Sequence, residues 1–208
     1  MPTSILHPIF NSFTIAAVVF DLHDTLVCYP NIDSFLYTEL PKLCRKLNPK
    51  TMAETWRKRI AHEPLWPIHE EKELIIPLSY REIWAKRFIE GGLPQKKSRL
   101  LAETWATEVS KAPAFNGAVE TVQDIGRTLP VAILSNGDTD YVHTAVDANG
   151  FNVHKVIASQ EAGAAKPAGS IFNLVARELD TDPSAILFVG DSIRHDMDGA
   201  YSAGMHPV

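Results

Sequence analysis

The feature that most constrains this chain is an uninterrupted apolar strand that ends at a carboxylate. Residues 14–26 read TIAAVVFDLHDTL, in which β-branched and aromatic residues run up to Phe20 and stop at Asp21. A strand without polar alternation is typical of the centre of a parallel sheet that is covered on both faces. Open α/β sheets bind their ligands at the carboxyl ends of the strands. We therefore expect Asp21 to lie in a binding site.

Strands and helices alternate along the rest of the chain, apart from one long helical section. Helical spacing of apolar residues predominates between residues 27 and 111, and apolar strands return at 131–134, 153–158 and 185–189. This order predicts an α/β fold, a doubly wound parallel (Rossmann-like) sheet with an all-helical insert after the first strand. We assign residues 1–26 and 112–208 to the α/β core and residues 27–111 to the helical insert.

Composition narrows the classes of function. The 208 residues carry a formal net charge of -5 without a cluster of Lys and Arg, which argues against a nucleic-acid-binding surface. Two cysteines are too few for a disulfide framework and favour a reducing compartment. The sequence also has neither a targeting pattern nor a membrane-spanning apolar run. We expect a cytoplasmic protein that binds neither nucleic acid nor membranes.

Polar residues of particular types follow three of the predicted strands. Asp21 and Thr25 follow the first strand, Ser135 and Asn136 follow the second, and Asp191 and Asp196 follow the third. Lys166 lies on a loop between the second and the third of these strands. Because the carboxyl ends of parallel strands share one edge of the sheet, we expect these groups to converge.

Such a set of groups suits phosphoryl transfer. A carboxylate can attack phosphorus and form an acyl phosphate. Two further carboxylates can hold Mg²⁺, which prefers oxygen ligands. Ser135 and Lys166 supply a hydroxyl and a positive charge for phosphate oxygens. Since phosphoryl transfer depends mainly on positioning and charge neutralisation, the set predicts a reaction on a small phosphorylated molecule.

Four segments resemble, in order, the four motifs of the haloacid dehalogenase (HAD) superfamily. VVFDLHDTL resembles the nucleophile motif and AILSNG the second motif. Lys166-Pro167 resembles the third, and GDSIRHD with the helix after it resembles the acidic fourth. The insert lies where that family carries its helical cap. The resemblance implies a HAD-like hydrolase whose cap excludes water and selects the substrate.

The resemblance also implies roles for individual residues. Asp21 matches the nucleophile, and Lys166 matches the lysine that offsets charge between nucleophile and phosphoryl group. Thr25 steadies the nucleophile loop and Ser135 binds phosphate oxygens. The implied substrate-binding residues are Thr25, Ser135, Asn136 and Lys166. The implied Mg²⁺ ligands are Asp21, His23, Asp191 and Asp196.

One position departs from the family pattern. Phosphatases of this superfamily usually carry a second Asp two residues after the nucleophile as general acid/base, whereas this chain has His23 there and Asp24 where Gly is usual. In the family this position gives its backbone carbonyl to Mg²⁺, which His23 can also do. Because His titrates near neutral pH, its imidazole is a candidate acid/base. Loss of proton transfer typically slows a reaction about 10²- to 10⁴-fold. A catalytically weak protein that binds a phosphorylated ligand or a partner protein is therefore an alternative.

A 2-haloacid dehalogenase is a second alternative, because Ser-Asn-Gly after the second strand is also common in that branch. Dehalogenases attack carbon with the same Asp and need no Mg²⁺, so their fourth motif lacks the metal carboxylate. In this chain Asp191 follows Gly190 directly, and neighbouring carboxylates are costly without a cation. We therefore favour a Mg²⁺-dependent phosphomonoesterase that works through an aspartyl-phosphate on Asp21.

The last residues bear on assembly. Four residues follow Gly204, where the fold of this superfamily normally adds another strand and a helix. Either the polypeptide is a natural short form or it is truncated, and in the short form a bare sheet edge favours pairing with another chain. We expect a monomer or a homodimer joined through that edge.

Overall fold

A five-stranded parallel sheet forms the centre of the protein. The structure is a computed structural model that describes residues 3–5, 13–62 and 79–208, so residues 63–78 of the predicted insert lie outside it. The strand order is β5-β4-β3-β6-β7, with every neighbouring pair parallel. The strands are β3 (Ala17–Phe20), β4 (Val131–Ser135), β5 (Lys155–Ala158), β6 (Ile186–Val189) and β7 (His206–Pro207). The predicted fold class is confirmed.

The central strand is the one that carries Asp21. Phe20 pairs with Ile133 on one side and with Val189 on the other, and all four residues of β3 are buried. Val18 and Phe20 join one hydrophobic cluster, whereas Ala17 and Val19 join a second one. Alternate side chains therefore point to opposite faces of the sheet, both of which are covered.

Helices cover both faces of the sheet. Val122 of α5 (Ala118–Gly126) and Val142 of α6 (Thr139–Asn149) belong to the first cluster. Phe172 of α8 (Gly169–Glu178) and Ala200 of α9 (Asp198–Ser202) belong to the second. A short helix, α7 (Ser159–Ala162), follows β5. This arrangement is the doubly wound architecture that the alternation of strands and helices predicts.

The described residues between β3 and α5 form four helices, as predicted for the insert. They are α1 (Ile32–Leu43), α2 (Pro49–His62), α3 (Tyr80–Glu90) and α4 (Gln95–Ser110). Polar side chains cap the N-termini of two of these helices. Asn31 before α1 accepts a hydrogen bond from Ser34 N, and Ser79 before α3 accepts one from Glu82 N. In the described parts of the chain, no helix is long and apolar enough to cross a membrane.

Both ends of the chain differ from the sequence prediction. β1 (Thr3–Ile5) pairs antiparallel with β2 (Phe13–Ile15) outside the main sheet. The expectation of no further strand after Gly204 is wrong, since β7 pairs with β6. Gly204, with φ of 85°, turns the chain out of α9, and Met205 is buried beneath the turn. The predicted homodimer stays a prediction.

A buried carboxylate joins the helical insert to the sheet. Asp138, the residue before α6, is buried and makes no side-chain hydrogen bond to its own helix. It accepts hydrogen bonds at the start of α3 from Tyr80 N at 2.5 Å and Arg81 N at 3.2 Å, and from Arg81 Nη1 at 2.8 Å. Arg81 also donates two hydrogen bonds to Asp140 and one to Glu103. Because a carboxylate at a helix N-terminus is favourable, this contact holds α3 to the loop after β4.

Asp138→Asn is expected to lower the free energy of unfolding by about 2 kcal/mol, since a buried charged acceptor of three hydrogen bonds is lost. Asp140→Asn, at the same arginine, is the matched control, with an expected loss below about 1 kcal/mol because its side chain is 67% exposed. Urea unfolding of both variants measures the difference. Equal losses in the two variants would contradict the role assigned to Asp138.

Candidate active site

The carboxyl ends of β3, β4 and β6 meet at a cavity of about 400 Å³. All of the predicted site residues line it except Thr25, namely Asp21, His23, Ser135, Asn136, Lys166, Asp191 and Asp196. The convergence expected from parallel strand ends is therefore present in the structure.

Lys166 lies between two buried carboxylates. Its Nζ donates hydrogen bonds to Asp21 Oδ1 at 2.5 Å and to Asp196 Oδ1 at 2.6 Å. Burial disfavours the charged amine, but the two carboxylates outweigh it and raise the pKa of Lys166 above its ordinary value. Lys166 therefore places a fixed positive charge beside the predicted nucleophile.

Asn136 holds the backbone of Lys166. Its Oδ1 accepts a hydrogen bond from Lys166 N at 2.8 Å, and its Nδ2 donates one to Lys166 O at 3.0 Å. Both polar atoms of the Asn136 side chain therefore hold the backbone of Lys166 against the end of β4. A contact between Asn136 and substrate stays a prediction.

Three carboxylates come together at the bottom of the site. Asp21, Asp191 and Asp196 each place one oxygen within 4.8 Å of the others. Burial raises the pKa of Asp21 to about 6, with Lys166 opposing the shift and Asp196 adding to it. Partial desolvation raises the pKa of Asp191 above its ordinary value, and the nearby Asp196 and Asp24 carboxylates raise it further. Because three carboxylates face one ammonium, the oxygen donors and the excess negative charge fit a divalent cation such as Mg²⁺.

A tight turn positions the Asp196 carboxylate. Asp196 belongs to a π-helical turn (Ile193–Met197) that leads directly into α9. Ser192 N donates a hydrogen bond to Asp196 Oδ2 at 2.9 Å, while Oδ1 receives Lys166. Gly190 packs directly against this side chain, because a Cβ atom there would lie 2.5 Å from Asp196 Cγ.

Gly190→Ala is expected to lower the free energy of unfolding by about 2 kcal/mol, since the added methyl overlaps a carboxyl group held from both sides. It is also expected to reduce activity by displacing Asp196. Gly126→Ala is the control, because a Cβ atom at Gly126 meets nothing within 4 Å. Thermal unfolding of the two variants checks this expectation, which a fully stable Gly190→Ala protein would refute.

His23 is enclosed rather than solvated. Its Nδ1 lies 3.3 Å from Ser135 Oγ, its ring makes edge contacts with Tyr29 and Tyr141, and its Nε2 is buried without a hydrogen-bond partner. Burial, followed by the charge of Lys166, lowers the pKa of His23 to about 3. At that pKa the imidazole is neutral at pH 7, and the role of His23 as acid/base stays a prediction.

Thr25 lies outside the cavity lining. Its Oγ1 is buried without a hydrogen-bond partner, on the turn where Leu26 N donates to Leu22 O. This location agrees with a residue that shapes the nucleophile loop, and direct contact between Thr25 and substrate stays a prediction.

Other residues of the cavity were missed by sequence reasoning. Asp24 lines it with φ of 63°, a left-handed conformation that Asp tolerates better than most residues, and accepts a hydrogen bond from Tyr29 N at 3.0 Å. Tyr29, Tyr80, Trp84 and His195 also line it. The four-residue spacing of Tyr80 and Trp84 indicates a shared helix face, but it cannot tell a cavity from a core.

Comparisons with known proteins bear on the family and the fold of the chain. A family model described as haloacid dehalogenase-like hydrolase matches residues 15–204. The pyrimidine 5'-nucleotidase YjjG of Escherichia coli (strain K12) is 26% identical over 197 residues, which are 90% of this chain and 82% of that protein. A ribulose-1,5-bisphosphate 5-phosphatase of Halopiger xanaduensis is 31% identical over 103 residues, 49% of this chain and 42% of that protein. The structure of a defluorinating L-2-haloacid dehalogenase superposes with a TM-score of 0.68 at 18% identity, covering 93% of this chain and 80% of that one.

Proposed function

The chain belongs to the haloacid dehalogenase-like hydrolase family, and on that premise we propose that it is a Mg²⁺-dependent phosphomonoesterase for a small phosphorylated molecule. The observation that carries the proposal is the cluster of Asp21, Asp191 and Asp196, two of which, Asp21 and Asp196, bind the ammonium of Lys166. A nucleophilic carboxylate beside a cation site is what phosphoryl transfer requires. The phosphatase and nucleotidase names of the relatives support the same class of reaction.

The reaction has two steps. A carboxylate oxygen of Asp21 attacks phosphorus, the bond from phosphorus to the leaving-group oxygen breaks, and that oxygen takes up a proton from solvent water. Water then attacks the phosphorus of the aspartyl-phosphate and loses a proton to solvent, while the bond from phosphorus to the Asp21 oxygen breaks and releases inorganic phosphate and the Asp21 carboxylate. Lys166 and Ser135 bind phosphoryl oxygens in both steps, since an ammonium and a hydroxyl stabilise the charge that builds up there.

Asp21, Asp191 and Asp196 would hold the cation, together with the backbone carbonyl of His23. The bound cation neutralises charge on the phosphoryl oxygens and reduces their repulsion with Asp21. Asp191 is exposed whereas the other two are buried, so one ligand is open to the cavity.

The helical insert serves as a cap in this proposal. We assign residues 27–111 to the cap domain and residues 1–26 and 112–208 to the core domain. The contribution of Tyr80 and Trp84 to the cavity supports this division, because residues of α3 border the predicted phosphate site. A cap that closes over such a site keeps bulk water from the reacting groups.

Turnover of p-nitrophenyl phosphate, which is a phosphomonoester, and of acetyl phosphate tests the function directly. We expect hydrolysis with Mg²⁺ that EDTA abolishes, and no release of chloride from 2-chloropropionate. Metal-independent chloride release would favour the dehalogenase alternative, which shares the fold but has no use for the acidic cluster. Tight binding of phosphorylated ligands without any turnover would favour the catalytically weak alternative.

His23→Asp is expected to raise kcat for alkyl phosphates at least about tenfold, because it restores a carboxylate that can exchange protons with the leaving group. His23→Ala is the control for loss of the ring. Its kcat for alkyl phosphates is expected to match that of the wild type within about threefold, since a neutral imidazole is a poor proton donor. Steady-state assays of both variants measure the change. If both variants are much slower than the wild type, His23 is the working acid/base.

A further inference from the structure

One part of the candidate cavity is aromatic and apolar. Tyr29, Pro30 and Ile32 line it from the segment that leads into α1, and Tyr80 and Trp84 line it from α3. Residues four apart share one face of a helix, so Tyr80, which is half-buried, and Trp84, which is 6% exposed, lie one turn apart on the face that borders the cavity. We call these five residues the aromatic wall.

The rings of the aromatic wall are supported from behind. Tyr29 and Trp84 both pack against Trp105, with ring centroids 5.6 and 5.2 Å away, and Trp105 is only 1% exposed. Tyr80 contacts the ring of the buried Tyr141, and its backbone N–H is bound by Asp138. Because close-packed neighbours restrict these rings, the wall is formed before any ligand arrives.

The charges around the cavity favour an uncharged group at the wall. Of the lining residues that the structure describes, only Lys166 is a Lys or Arg, and its ammonium is already bound to Asp21 and Asp196. Asp24 and Asp191 add negative charge to the same lining. A second anionic group on the substrate would therefore meet carboxylates and aromatic rings.

We propose that the aromatic wall binds the leaving group, and that the protein selects phosphomonoesters whose leaving group carries a flat, uncharged ring. Aromatic side chains bind such rings edge-to-face or offset-stacked. A cavity of about 400 Å³ lies at the small end of the range for small-molecule sites, which suits a phosphoryl group with one ring system. This selectivity rests on the proposed function of the same site.

Calorimetry on the Asp21→Asn protein with Mg²⁺ tests the selectivity without turnover. Naphthyl phosphate carries a ring and glycerol phosphate does not, so we expect naphthyl phosphate to bind about tenfold more tightly. Adding Trp84→Leu should reduce this ratio of affinities to about threefold or less. Phe88→Leu is the matched control, because Phe88 lies one turn further along α3, packs against Trp84 and does not line the cavity. The Phe88→Leu protein should keep the full, about tenfold ratio of the affinities for naphthyl phosphate and glycerol phosphate.

Two results would overturn the proposal. One is equal affinity for the two esters in the protein with an intact wall. The other is the same ratio in the Trp84→Leu and Phe88→Leu proteins. If Trp84→Leu does not fold, Tyr29→Leu carries the same expectation. Failure of the proposed function has a different signature, namely no hydrolysis of acetyl phosphate by the protein that keeps Asp21, and it leaves the binding comparison measurable.

Discussion

Replacing Asp21 with Asn is expected to abolish Mg²⁺-dependent hydrolysis of acetyl phosphate, with a fall in kcat of at least about 10⁴-fold. The amide is a poor nucleophile, and no other described carboxylate lies at the end of the central strand beside Lys166. The fold should persist, because Lys166 keeps its hydrogen bond to Asp196 and the acidic cluster loses a surplus negative charge.

A matched carboxylate controls for the loss of charge. Asp147 is exposed on α6, away from the cavity lining, so Asp147→Asn should hydrolyse acetyl phosphate at the wild-type rate. Steady-state kinetics of the two variants, with thermal unfolding as a check on folding, give the comparison. A folded Asp21→Asn protein that retains more than a tenth of the wild-type rate would exclude Asp21 as the nucleophile.

Lys166→Met is expected to impair both activity and stability. The substitution keeps the length of the side chain but leaves the buried carboxylates of Asp21 and Asp196 without their shared cation. Removing one partner of a buried ion pair typically costs about 3 kcal/mol or more, so the free energy of unfolding should fall by that amount at neutral pH without metal. Hydrolysis of acetyl phosphate should become undetectable, since the charge that binds the phosphoryl group is lost.

The stability deficit of Lys166→Met should depend on pH. Lys166 lowers the pKa of Asp21, so removal of the lysine raises that pKa above its value of about 6. A carboxyl group whose pKa is higher in the folded than in the unfolded state favours folding at low pH, and this contribution disappears as the pH rises through the folded pKa. Urea unfolding in EDTA should therefore show a smaller deficit near about pH 5 than near about pH 8. A deficit that does not change with pH would contradict the pairing.

The central fold and the polar strand ends could be predicted because their signals are local. Each buried strand is a short apolar run, and the polar residues that follow it, such as Asp21 and Ser135, reach the same edge once the strands are parallel. The insert was also recognisable, since its helices carry apolar residues at helical spacing. These patterns can be recognised in the sequence without knowing which helices and strands contact each other in the fold.

Features that depend on contacts between distant segments could not be predicted. The pKa of His23 follows from its enclosure by Tyr29 and Tyr141, and the role of Asn136 follows from its contact with a loop thirty residues away. Asp138 directly precedes α6 in the chain, yet its side chain binds the start of α3. β7 is too short for a pattern and exists because β6 offers it a partner.

The central claim is that Asp21 becomes phosphorylated, and trapping that intermediate tests it most directly. The protein is mixed with acetyl phosphate and Mg²⁺, quenched with borohydride, digested and analysed by mass spectrometry. We expect Asp21 to be reduced to homoserine, with no modification in the absence of Mg²⁺ or after Asp21→Asn. Turnover of acetyl phosphate with an unmodified Asp21, or with modification at a different carboxylate, would contradict the account.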